Sequence, residues 1–304
     1  MEQGAIPVAE LEGSVDLQST VESGQSYLWD RLDGKMYTTT AAYGGSAWYE
    51  TVVPPIPGVF DQQAVVRIRQ HNGELQWEST TDAVPIVQHL LRLDDDLQAI
   101  KAAIPDDPLL ERAFEQYAGM RLVRDPVFPC LISFICSAQM RVSRIFGMQR
   151  RLAREYGEEI EFNGETYHAF PTPEQMAERS EGELRDLSLG YRAPYVQKTA
   201  KLVATGEVDP RAALDLEYEK AREHLTQFVG VGNKVADCVL LFSLGFTEAV
   251  PLDTWIQTAI AEQYPDCDQG GYVSTSRAIR KQFGGQYAGY AQTYVFHYLR
   301  NGGN

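Results

Sequence analysis

Long apolar runs, clustered cysteines and lysine are all scarce in this chain of 304 residues, and each scarcity excludes something. No apolar run approaches the roughly 20 residues that cross a bilayer, and residues 1–12 lack the basic start and apolar middle of a secretion signal. A cytoplasmic protein with no membrane partner is therefore expected. Only four cysteines occur, Cys130, Cys136, Cys238 and Cys267, with no Cys-x-x-Cys pair and no compact run of four. That spacing excludes a zinc ribbon, an iron-sulfur cluster and a secreted disulfide framework, so free thiols and no metal site are expected. Lysine is limited to seven positions, and 27 basic residues face 42 acidic ones for a net charge of −15. Such a balance opposes a polyanionic partner, because phosphate contacts need Lys and Arg. It is the composition expected of a protein bathed in concentrated salt, as in a halophile. There, screening within about 3 Å at 1 M lets an acidic surface coexist with a local basic groove. Repeats, linkers and low-complexity tracts are also missing, which predicts a packed whole.

What is present is ample core material, with 44% hydrophobic and 11% aromatic residues. Residues 1 to about 80 read as strands at 27–29, 36–40, 48–53 and 64–69, and His71-Asn72-Gly73-Glu74 ahead of Leu75 is a good hairpin turn. Helices dominate from residue 82. Asp96 caps one through 104, Asp107-Pro108 starts another through 117, 126–137 is apolar enough for a buried helix, and 141–156 is amphipathic. Residues 167–171 read as a connection and Gly190 as a stop between helices. The expected class is α+β: an N-terminal antiparallel sheet with a following helix at 1–105, then a mostly α-helical region at 106–304.

The chain is organised around 225–255. Leu225 and Phe228 end one helix, Gly230-Val231-Gly232 makes a tight turn in which both glycines can take positive φ, and Asn233 opens a second helix. Exposed amides on such a helix-hairpin-helix suit a phosphate. Lys234 lies in the first turn of that second helix and Asp253 lies after Pro251 at the start of the next, so an amine and a carboxylate meet across one hairpin. Taken alone they read as a surface lysine and a helix cap.

The whole stretch, Gly230-Val-Gly-x-Lys-Val-Ala-Asp-Cys with Val250-Pro-Leu-Asp253, closely resembles the Gly/Pro…Asp signature of the DNA glycosylase superfamily, in particular its 8-oxoguanine branch. So do Ser23-Gly24-Gln25-Ser26 and the tract 129–137. The resemblance implies a bifunctional enzyme that flips an oxidised purine out of duplex DNA, with Lys234 as nucleophile and Asp253 as its catalytic partner. It implies a base pocket in which the Gly24 carbonyl reads the N7 proton, Gln292 bonds the Watson-Crick edge, and Cys238 and Phe296 sandwich the ring. It further implies Gln139, Arg144 and Arg192 near the opposite base, Tyr191 as a wedge, and Gly230 and Gly232 in the phosphate-binding hairpin. No cofactor is required beyond, at most, a monovalent cation at the hairpin. A monomer is expected, acting on damaged double-stranded DNA at the nucleoid, or in the nucleus of a eukaryote. The sequence departs from the family at Gln139-Met140-Arg141, where the animal enzymes carry three asparagines, and at Trp255 and Leu299, where they pair a histidine with an aspartate. The alternatives are an alkylpurine glycosylase of the same fold, against which Lys234 counts, and a DNA-binding module without activity. For the latter, Asp253, Gly24, Gln292 and Phe296 are surplus.

Overall fold

A computed structural model of the chain describes residues 1–38 and 47–303. Five strands form one antiparallel sheet in the order β1-β5-β4-β3-β2: β1 (Glu2–Pro7), β2 (Asp30–Arg31), β3 (Tyr49–Val53), β4 (Ala64–His71) and β5 (Glu74–Ser79). The β4–β5 hairpin turns where expected, with Asn72 at φ 52° and Gly73 at φ 79°, two residue types that tolerate the left-handed region. Along β3, Tyr49, Thr51 and Val53 are buried and alternate with half-buried Glu50 and Val52, so one face is driven onto a core. That core is filled by Leu17 and Val21 of helix Leu17–Glu22, Ile86 of helix Val84–Leu90, and Trp29, Ile68 and Leu75.

Several local expectations fail for tertiary reasons. The segment 27–29 pairs with no strand; Tyr27 packs into the helical core and Trp29 into the sheet core, and the sheet takes up the chain only at β2. Of the strand expected at 36–40, Met36 and Tyr37 form a turn and residues 39 and 40 lie outside the described residues. The edge strand β1 and helix Leu17–Glu22 were not anticipated. All six residues of that helix are buried, so it has no polar face to betray its period, although Asp16 caps it by accepting from the Ser19 amide at 2.9 Å. A second hairpin, β6 (Glu159–Phe162) and β7 (Glu165–His168), occupies part of what reads as a connection. Phe162 and Tyr167 cover Val65 on the back of β4, and buried Arg67 donates to the Tyr167 hydroxyl at 2.6 Å. Asn163 at φ 53° and Gly164 at φ 78° turn this short hairpin, and the sheet behind it supplies the surface it packs on.

The helical region follows its caps. Asp96 and Asp107 accept from the amides that open helices Leu97–Ala103 and Pro108–Gln116. At the centre lies helix Val127–Ile135, buried except at Val127. It packs against Asn233–Phe242, in which every residue from Val235 onward is buried. That set includes Asp237, which takes hydrogen bonds of 2.7 Å from the hydroxyls of Tyr218 and Tyr272 and faces Arg222 at 3.6 Å. Burial pushes its carboxyl up to about 6, against the pull of that arginine and those hydroxyls. Among the described residues no helix is long and apolar enough to cross a membrane.

Candidate active site

The hairpin helices Tyr218–Leu225 and Asn233–Phe242 are joined by a turn in which Gly230 has φ 84°. A Cβ at that position would stand 2.8 Å from the Tyr195 ring, so only glycine fits. Gly232 corrects the expectation that both glycines take positive φ. It sits at φ −91° as an exposed helix cap whose Cβ would meet nothing within 4 Å. No side chain caps this helix, so its first amides face outward beside the partial positive charge of the helix end.

Lys234, two residues past that cap, is half-buried. Its Nζ donates to the Ser137 hydroxyl at 3.3 Å and lies 5.4 Å from the centre of the Phe134 ring. The Cys238 thiol lies one helical turn on. Burial pushes that thiol up to about 11 despite the lysine's charge, so it is a neutral group at pH 7. Asp253 caps helix Thr254–Gln263 and accepts from the Ile256 amide at 2.9 Å. Burial raises its carboxyl above the usual range, opposed by that amide and by the charges of Lys234 and Arg300. Among the described residues no carboxylate lies within 4.0 Å of the Lys234 amine. The pair thus feel each other's charge, and the amine is not held in a closed ion pair.

Both groups line one cleft of about 950 Å³, near the upper end of the volumes typical of ligand sites. Gly230, Gly232, Gln139 and Phe296 share its walls, as do Trp255, where the sequence departs from the family, and four residues not singled out for the site: Tyr27, Tyr37, Ser137 and Arg300. The signal for Arg300 was available, since Gln292, Phe296 and Arg300 recur every four residues on the closing helix Ala288–Arg300.

The remaining expected residues are placed around the cleft in different ways. Gly24, at φ 94°, borders it, with the position of its absent Cβ 2.9 Å from Arg300 Nη1 and 3.7 Å from Phe296. Cys238 and Gln292 are packed in the protein interior, only 2% and 4% exposed, and do not themselves line the cleft. Tyr191 and Arg144 are exposed and do not line the cleft. Arg192 is buried, donates to the Ala138 carbonyl and stacks on Tyr191 at 4.3 Å from the ring centre. It props the loop on which Gln139 adopts φ 54°. Among the described residues no group of three or more His, Cys, Asp or Glu side chains could hold a metal ion.

Residues 132–282 match the family described as HhH-GPD superfamily base excision DNA repair protein, and residues 6–131 match the 8-oxoguanine DNA glycosylase N-terminal domain. A probable N-glycosylase/DNA lyase of Methanothermobacter thermautotrophicus is 30% identical over 314 residues, spanning 96% of this chain and 95% of its own. The N-glycosylase/DNA lyase of Saccharomyces cerevisiae is 31% identical over 82% of this chain and 68% of its own. Among solved structures, the 8-oxoguanine glycosylase/lyase of Clostridium acetobutylicum superposes with a TM-score of 0.83 at 26% identity, covering 98% of this chain and 96% of that one. It has also been solved with double-stranded DNA containing cytosine opposite 8-oxoguanine. These likenesses extend through both the sheet and the helical region, and the chain belongs to the helix-hairpin-helix-GPD superfamily of base excision DNA repair proteins, in its branch of bifunctional 8-oxoguanine glycosylase/DNA lyases.

Proposed function

We propose that this protein excises 8-oxoguanine and related oxidised purines from duplex DNA through a Schiff base on Lys234 and then cuts the strand by β-elimination. The observation that carries this reading is an amine outside any ion pair and a half-buried carboxylate lining one cleft, beside a helix N-terminus that no side chain caps. C1′ is shielded in stacked DNA, so the damaged nucleotide must be flipped into the cleft. The Lys234 amine attacks C1′, and the bond to the base breaks with its electron pair leaving on the purine. Asp253 offsets the positive charge that grows on the sugar. Ring opening gives the imine, loss of a C2′ proton expels the 3′ phosphate, and hydrolysis frees the lysine. Borohydride reduction during reaction with an 8-oxoguanine duplex is expected to leave protein covalently joined to DNA. Excision without any trapped adduct would point to direct attack by water and would sink the Schiff-base reading.

A net charge of −15 must be reconciled with a DNA partner. Locally, Arg141 on the cleft rim and Arg144 beside it are exposed, with no carboxylate within ion-pair range among the described residues. Globally, the acidic surface repels DNA and itself, and both effects weaken as the screening length falls from about 10 Å at 0.1 M to about 3 Å at 1 M salt. Melting temperature and single-turnover cleavage are therefore expected to rise from about 0.1 M toward molar salt. An ordinary glycosylase would instead lose about 0.9 log units of affinity per log of salt for each phosphate it neutralises. A steady fall in both readouts would remove the high-salt interpretation of the composition.

A further inference from the structure

We infer that Arg300 is a positioning residue that ties the two walls of the base pocket together, holding the Gly24 loop against Phe296, and so governs how well an oxidised purine is seated. The inference rests on the reading proposed above. Arg300 ends the closing helix one turn after Phe296, and its guanidinium lies 5.3 Å from the centre of that ring. From there it reaches across to the N-terminal part of the chain, where Nη1 donates to the Ser23 carbonyl at 2.6 Å and Nη2 to the Glu22 carbonyl at 3.0 Å.

Nη2 also lies 3.1 Å from His297 Nδ1. A guanidinium can only donate, so that ring nitrogen accepts. Burial and the neighbouring arginine push the imidazole down to about 3, which keeps it neutral and able to do so. The other side of the same loop is fixed by Gln25, whose Nε2 donates to the Ser23 hydroxyl and the Arg121 carbonyl, each at 2.9 Å, while its Oε1 accepts from the Val123 amide. Gly24 is thus held between a buried glutamine beneath and a planar, forked cation on the cleft side. Arginine suits this place because two donors in one rigid plane fix two consecutive carbonyls, whereas a lysine ammonium fixes a point. The geometry also explains why residue 24 must be glycine beyond its φ of 94°, since a Cβ would strike Arg300 Nη1 at 2.9 Å.

If Arg300 sets the pocket, its loss should harm the step that reads the base more than the step that acts on a sugar whose base is already gone. The test compares wild type, Arg300→Met and Arg300→Lys in single-turnover release of 8-oxoguanine and in strand cleavage at a preformed abasic site, with melting temperatures alongside. Misplacing a recognition group by about 1 Å costs on the order of 100-fold, so the Met variant is expected to lose about 10- to 100-fold in base release and no more than about threefold in abasic-site cleavage. The Lys variant, which keeps the charge without the fork, should fall between Met and wild type in base release and carries the test if Met melts too low. Equal losses in the two reactions, or no loss in base release, would overturn the inference. Wild type that cleaves abasic sites but releases no 8-oxoguanine would instead overturn the substrate reading, and this inference with it.

Discussion

Replacing Lys234 with glutamine is expected to abolish base release and borohydride trapping together, by at least roughly 10³-fold, while damaged duplex still binds. Glutamine keeps most of the side-chain volume and can still donate toward Ser137, the lysine's 3.3 Å partner. It has no basic electron pair with which to attack C1′. The side chain is half-buried and engages no carboxylate within 4.0 Å among the described residues, so its exchange removes no ion pair and should leave the melting temperature within a few degrees of wild type. Loss of chemistry with retained fold and retained binding is therefore the signature of the nucleophile. Trapping that survives would assign the Schiff base to another amine. Lys198 and Lys201 cannot be that amine without rearrangement, since neither lines the cleft.

Asp253→Asn is expected to lower single-turnover excision by about 100- to 1,000-fold and affinity for damaged DNA by less than about threefold. The substitution separates two roles of one side chain. Asp253 caps helix Thr254–Gln263 through the Ile256 amide, and asparagine caps a helix about as well as aspartate, so a purely structural role predicts near-normal stability and activity. The negative charge is what asparagine lacks, and it matters most as the sugar becomes cationic. A pH profile sharpens the distinction. Burial raises the carboxyl of Asp253, so in wild type the ionised form is lost on acidification at a higher pH than for an ordinary aspartate, and activity should fall with it. The asparagine variant should lack that acid limb. Near-normal turnover in the asparagine variant would show that Asp253 acts as a cap alone.

The parts of this molecule that were legible from sequence are those whose physics is local. Asp96, Asp107 and Asp253 cap the helices that follow them because a carboxylate satisfies amides two or three residues ahead. Asn72-Gly73 turns a hairpin because both residues tolerate left-handed φ. Lys234 and Cys238, or Gln292 and Phe296, share a face because they are four apart on a helix. The hairpin itself could be read off for the same reason, since one turn and two helix starts define it, but Lys234 and Asp253 were singled out as a pair only by the resemblance of the whole stretch to a known family.

Tertiary structure decided whatever depends on partners distant in sequence. Arg300 meets the Glu22 and Ser23 carbonyls across 278 and 277 residues, and no periodicity encodes that meeting. Arg192 carries the chemistry to read a base edge, yet its guanidinium is turned inward onto the Ala138 carbonyl. Gly232 looked like Gly230 in sequence, but only Gly230 has the Tyr195 ring against it and φ of 84°. The hairpin β6–β7 has a local turn at Asn163-Gly164, but what it packs on, Val65 and Arg67 of β4, is distant in sequence. Local propensity sets what a segment can adopt at a cost of about 1 kcal/mol per residue or less, and burying a side chain against a remote partner outweighs it. Caps, turns and helical spacing therefore set the local elements, and the resemblance of the hairpin stretch singled out Lys234 and Asp253, whereas the contacts of Arg300, Arg192 and Gly230 were settled by which distant residues the two cores brought face to face.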